Sequence, residues 1–407
     1  MMNDNQTEKW IGYLLSTAAF CLPLVQTVSI VCFILIMIIR LSSKNERGII
    51  SGNFFKSPLF WGLPLLYLWH LVGLIWTENF KYAGLDLEIK AAFLLLPLFI
   101  GTLAISERNY RTTLCAFIAG CLTASLILLV HAALKFNETG LHTAFFYIDY
   151  SSLLMHPTYI SMYLNMAILF LFHLMNGSTE NWNLKFYSAG ILFFFIQLLL
   201  LSARTAQAVA LLTFVVAAFL YLRKGEGLRL KRIHSIVILC FTLLSYFALQ
   251  SLNNRFNQVE KAMTTTISVD AVPEYNSTTG RLEIWRESME ILRDNWLIGT
   301  GTGDVKDELI KTYEKHQFSY ALDKKLNAHN QFLQVWLALG IVGLFLLIGI
   351  VTFPLFKWNF SEQRLFALFS FVIILNALTE SILEVQKGVM FFSFIYCLFT
   401  MRKGIRS

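Results

Sequence analysis

Several residues stand where chemistry is easiest to build. His329 lies where a polar stretch enters a long apolar one, and Asn330 and Gln331 follow it. An imidazole takes or gives a proton near neutrality, and it also hydrogen-bonds phosphate. Arg281 opens the amphipathic segment GRLEIWRESMEILRDN. A guanidinium there can fork two hydrogen bonds onto a phosphate, and a helix start adds N–H donors and a favourable dipole. Arg204, in LLLLSARTAQAVALL, has Ser202, Thr205 and Gln207 around it. It reads either as an arginine snorkelling to headgroups or as an anion-binding group.

Weaker candidates complete the set. Lys90 starts an apolar run, LEIKAAFLLLP, where an ammonium is expensive; it reads equally as a functional group or as one half of a structural ion pair. Glu380 and Glu384 are four apart and are expected to share a helix face, pairing with a base or accepting a proton. His156 opens HPTYIS at another helix mouth and is a secondary site residue; His70, His131 and His173 read as packed or interfacial. Arg286 is a candidate substrate contact, although it, Arg293 and the charges from Lys306 to Lys325 fit a solvated helix face better.

Other signals carry little. GTGTG lacks a preceding strand and the dinucleotide spacing. Asp86 and Glu88 diverge at a helix start, and Asp304 and Asp307 read as solvated. The six cysteines, Cys21, Cys32, Cys115, Cys121, Cys240 and Cys397, all lie in apolar segments, so neither a disulfide framework nor a cysteine zinc site is expected. No metal site and no cofactor are expected.

The elements that position these residues follow from composition. The chain has 407 residues, 56% hydrophobic and 14% charged, with a mean hydropathy of +0.58. A soluble domain would carry about a quarter charged residues. The shortfall predicts an all-α, polytopic bundle of transmembrane helices. Twelve spans are read at 10–24, 26–41, 58–76, 88–105, 112–135, 156–175, 185–202, 204–222, 234–251, 330–356, 364–380 and 388–401. The domain plan is helices over 1–251, a long loop over 252–329 and helices over 330–407. Within the loop, a helix is expected from Arg281 to Asn295, with Trp285, Met289, Leu292 and Trp296 as its apolar stripe. A second, charged helix is expected over 304–325. The first apolar stretch lacks a cleavage site, so no signal peptide is expected.

More than half of the Lys and Arg fall on one side of these spans, among them Arg40, Lys44, Arg223, Lys224, Arg229 and Arg402. The net charge of +7 is therefore orientation signal rather than a nucleic-acid stripe. That side and both termini are cytoplasmic, and the long loop is extracytoplasmic.

The S-x-R-T turn at Ser202–Thr205, the GRLEIWRESMEILRDNWLIGTGTGD block and the HNQFLQVWLALGIVGL block together resemble the bacterial O-antigen ligase and O-antigen polymerase superfamily. That resemblance implies a C-type membrane glycosyltransferase at the periplasmic face of the inner membrane. It implies an undecaprenyl-diphosphate-linked glycan donor and a lipid A–core acceptor. Within the superfamily the alternatives are an O-antigen or exopolysaccharide polymerase and a protein O-oligosaccharyltransferase. The family arginines matching Arg204 and Arg281 are implied to hold the diphosphate, and the histidine matching His329 to be base or diphosphate ligand. Lys90 matches a family basic residue more loosely, and His156, Asn330 and Glu380 are further expected contacts. A transporter or flippase would instead favour internal repeats and midplane charges, whereas the candidates here gather at one outer surface.

The charge asymmetry generates a test of orientation. A cysteine placed near residue 265 is expected to react with an impermeant thiol reagent from outside, and one near residue 227 is not. The reverse pattern would overturn the orientation.

Overall fold

The protein, a computed structural model, is described over residues 4–42, 58–176, 180–201, 207–213, 215, 279–357 and 361–400. Arg204, most of the expected span 204–222, the span 234–251 and loop residues 252–278 lie outside the described residues.

The described chain is helical and largely apolar. Helices α1 (Asp4–Cys21) and α2 (Gln26–Ser42) pack together, and α1 also packs on α6 (Glu107–Thr139). Helix α3 (Pro58–Val72) runs into a 3₁₀ turn, Gly73–Trp76. Then come α4 (Phe80–Lys90), α5 (Ala92–Leu96) and a π turn, Pro97–Gly101. After α6 and the short α7 (Tyr147–Ser151) follow α8 (Pro157–Asn176) and α9 (Asn181–Leu200). The second half holds α10 (Thr279–Asn295), α11 (Val305–Lys315), α12 (Ser319–Lys324), α13 (Gln331–Thr352), α14 (Ser361–Ala377) and α15 (Gln386–Thr400). Among the described residues, five helices are long and apolar enough to cross a membrane: Leu59–Trp76, Glu107–Thr139, Pro157–Met175, Trp182–Leu200 and Gln331–Phe356. Helix α8 is buried along almost its whole length and packs against α6, α9 and α14. A helix apolar all round is a central one.

Helix α13 departs from the single uninterrupted span expected at 330–356. It breaks at Gly340, whose φ of 66° and ψ of −165° leave the helix. The segment 296–301 is spliced into the break. Leu337 O accepts from Thr300 N (2.7 Å) and Ala338 O from Gly301 N (3.1 Å), while Ile341 N donates to Trp296 O (3.0 Å). Trp69 Nε1 donates to Leu339 O (3.1 Å). The groups freed by the break are thus paired again, as the low-dielectric bundle requires. A Cβ at Gly340 would stand 2.1 Å from Leu297 O, so no other residue permits this approach. GTGTG is therefore a packing device.

Asp304 and Asp307, expected to be solvated, are structural. Asp304 is buried and accepts from Glu78 N (3.0 Å) and Asn79 N (2.7 Å), while Asp307 accepts from Asn79 Nδ2 (2.7 Å). This staples the end of the glycine segment to the turn after α3. A Cβ at Gly303 would meet Asn79 O at 2.2 Å, so that approach also requires glycine.

Three further expectations change. The charged helix over 304–325 is two helices, because Gln317 at φ 54° turns the chain between α11 and α12. The buried face of α10 is Gly280, Ile284, Ser288, Ile291 and Leu292 with Glu287; of the expected stripe only Leu292 is buried and Trp285 half-buried against the core. Ser288 is buried because its hydroxyl donates to Ile284 O (2.7 Å), while Leu282, Met289 and Trp296 stay exposed. Finally, α14 stops at Ala377, so Glu380 and Glu384 lie in the turn between α14 and α15 and share no helix face.

The staple predicts a graded response. Asp304→Ala removes a buried charged acceptor that takes two backbone N–H hydrogen bonds and is expected to lower stability by about 3 kcal/mol. Asp307→Ala, which loses one half-buried contact, is expected to cost about 1 kcal/mol. Unfolding of the detergent-solubilised chain measures both, and equal effects would show that Asp304 is not the staple.

Candidate functional site

The chain around His329 is pinned before the side chain is placed. Ala328 N donates to Gln334 Oε1 (3.2 Å), and Ala328 O accepts from Trp285 Nε1 of α10 (3.0 Å). His329 N donates to Asn327 Oδ1 (3.0 Å). His329 itself has φ 45°, a left-handed conformation that a non-glycine residue holds only when its surroundings impose it. Asn330 then caps α13: its Oδ1 accepts from Leu333 N (3.1 Å) and its Nδ2 donates to Leu378 O (3.2 Å). Its amide is engaged at both ends in holding the α14–α15 turn against the start of α13.

That turn brings Glu380 to the centre. Glu380 Oε1 lies 2.9 Å from His329 Nδ1, and Oε2 lies 3.4 Å from Arg281 Nη2. Arg281 sits in the first turn of α10, as expected. His156, exposed at the mouth of α8, is within electrostatic reach of Glu380, His329 and Arg281. Burial pushes the Glu380 carboxyl up, but the hydrogen bond from His329 and the charges of His329, Arg281 and His156 outweigh it. The net position is below the ordinary glutamate range. The group stays an anion at neutral pH.

Lys90 sits apart from this trio, inside a buried network. It pairs with Asp86 one turn earlier and with Glu384 at 3.1 Å. Gln331 Nε2 donates to Glu384 Oε1 (2.8 Å), and its Oε1 accepts from Leu383 N (2.6 Å). Helix α4 begins at Phe80, earlier than the expected 88, and Lys90 is its last residue, just before the apolar α5. Arg286 is not brought to the site: its side chain is 80% exposed and pairs with Glu283 at 3.5 Å.

The sequence shows Gln331 only as a neighbour of His329 and Asp86 only as a discounted metal ligand, and it does not single out the trio Glu287, Glu290 and His316. The ligand atoms of that trio lie within 4.8 Å of one another, which is metal-ligating spacing. Lys315 already pairs with Glu290 (2.7 Å) and His316 Nδ1 with Glu287 (2.5 Å), so ion pairing accounts for the arrangement. The i,i+3 spacing of Glu287 and Glu290 was visible; the return of His316 across a helix turn was not.

The geometry gives the site its chemical range. A carboxylate on Nδ1 fixes an imidazole's tautomer and leaves Nε2 to exchange a proton. An arginine beside it offers donors to an anionic oxygen. Glu380→Gln is expected to leave expression intact and to reduce activity on the order of a hundredfold or more. Because its folded pKa is depressed, the stability Glu380 contributes is fully present above about pH 5 and is lost as pH falls through its folded value. The stability gap between wild type and Glu380→Gln should therefore be constant above about pH 5 and close in more acid solution. A gap that widens on acidification would exclude the ionised role.

Residues 189–348 match the family model of O-antigen ligase. No curated protein matches the chain. The match takes in Arg204, Arg281 and His329, while Lys90, His156 and Glu380 lie outside it. The resemblance carried by the three motif blocks is thereby borne out: this polytopic helical membrane protein carries, over residues 189–348, a segment that matches the O-antigen ligase family.

Proposed function

We propose that this enzyme moves a glycan from undecaprenyl diphosphate to lipid A–core at the periplasmic face of the inner membrane, without a metal and with inversion. The observation that carries the reading is the junction of three elements at one carboxylate. Glu380 meets His329 at 2.9 Å and Arg281 at 3.4 Å. Proton acceptor and phosphate binder are thus neighbours.

In the proposed step an acceptor hydroxyl gives its proton to His329 Nε2 as its oxygen bonds to the anomeric carbon. The bond from that carbon to the diphosphate breaks, and its electron pair leaves with the phosphate oxygen. Glu380 holds the imidazole through Nδ1 and stabilises the imidazolium that forms. Arg281 takes the charge that develops on the leaving diphosphate, a term that is large where water is excluded. Arg204, by the family resemblance, supplies a second guanidinium there. A single displacement with no enzyme nucleophile inverts the anomeric centre. His156 is a substrate contact at the rim in this reading, and Asn330 acts through the turn that its amide holds. Arg286 contacts substrate only where the glycan extends along α10.

Purified enzyme, carrier-linked glycan and lipid A–core test the reading. Arg281→Lys keeps the charge but loses the fork and is expected to reduce turnover about a hundredfold or more. Transfer should persist in EDTA. Near wild-type turnover of Arg281→Lys removes the diphosphate role, and loss in EDTA restored by a divalent ion removes the metal-free step.

A further inference from the structure

Beside His329 opens a cleft of about 460 Å³. His70, Asp86, Lys90 and Glu384 line its depth, and Lys306 and Lys325 line its mouth. His70 and Lys90 are almost fully buried, whereas Lys325 is exposed and Lys306 half-buried. His329 forms part of the wall.

Two features of the depth point to a polar ligand. His70 is 1% exposed, yet among the described residues neither ring nitrogen makes a hydrogen bond. Asp86 Oδ2 also lacks a hydrogen-bond partner there, although it stands 3.4 Å from His70 Nδ1. Buried groups of this kind need partners, because burying them unpaired costs about 1–3 kcal/mol each. A hydroxylated ring can donate to Asp86 and pair with His70.

The mouth differs in charge. In the depth Lys90 is already matched by Asp86 and Glu384. Among the described residues no carboxylate pairs with Lys306 or Lys325, and Lys306 Nζ lies 5.1 Å from the centre of the Tyr82 ring. The cleft is therefore hydroxyl-seeking inside and cationic at the rim. Ring geometry sets its relation to the site: with Nδ1 turned to Glu380, His329 Nε2 points away from that carboxylate.

We infer that this cleft is the acceptor subsite and that it takes a sugar carrying an anionic substituent, phosphate or carboxylate, held at the mouth by Lys306 and Lys325. The inference rests on the transfer reading for its role, while the cleft's ligand preference is separately measurable.

Binding to the detergent-solubilised full chain is measured by calorimetry with glucose 6-phosphate, glucuronic acid and glucose. Glucose 6-phosphate, glucuronic acid or both should bind about tenfold or more tightly than glucose, and which of them does so identifies the substituent. The preference should vanish in Lys306→Glu/Lys325→Glu, persist in Lys306→Arg/Lys325→Arg and weaken with salt. In the transfer assay the charge-reversed enzyme should show an acceptor KM raised about tenfold or more, with the donor KM unaffected. Equal binding of all three sugars, or a preference that survives charge reversal, overturns the inference. A charge-dependent preference without transfer supports the cleft and defeats the ligase reading. Normal transfer without the preference defeats the cleft alone.

Discussion

The structure depends on a break in one helix. At Gly340 the backbone of α13 opens, and the segment between α10 and α11 supplies the hydrogen bonds that the helix gives up. Unpaired amides inside a membrane protein are costly enough that the break and its filler must form together. The exchange fixes α10 against α13, and therefore fixes Arg281 relative to His329. Asp304 completes the attachment by tying the other end of the segment to the turn after α3. A soluble-looking loop is thus built into the bundle.

The α14–α15 turn is held against the start of α13 by side-chain amides rather than by a hydrophobic face. Asn330 reaches Leu378 O, and Gln331 reaches both Leu383 N and Glu384. The two glutamates of the turn then divide the work. Glu380 faces His329 and Arg281, and Glu384 faces Lys90. The buried Lys90 is tolerable because Asp86 and Glu384 both oppose it; removing Lys90 would leave two carboxylates facing each other without a cation in a low-dielectric region. In that network Lys90 positions the turn that carries Glu380, and its ammonium also lines the cleft beside His329.

The family match covers Arg281 and His329 but stops short of their shared carboxylate. Arg281 and His329, the proposed phosphate binder and proton acceptor, lie in the matched segment. The anion that orients them is delivered from the following helices, and His156 from the preceding ones. The site is thus a property of the whole bundle.

Sequence by itself determined the helical membrane class, since a charge content this low and apolar runs this long leave no soluble alternative. It also determined the start of α10 and the neighbourhood of Arg281 and His329, because caps, periodicity and motif spacing are local signals. It misread Asp304, whose acceptors are used by backbone some 225 residues away in sequence. It misplaced the buried face of α10, because a hydroxyl bonded within its own helix and a glutamate paired to His316 can be buried where composition assigns them to water. It took α13 as continuous, because one glycine in an apolar run does not reveal that another segment fills the gap. Only the tertiary structure decided that Glu380 joins His329 to Arg281 and that Glu384 and Asp86 surround Lys90. Those pairings join elements distant in sequence, and such pairings leave no periodic trace in the chain.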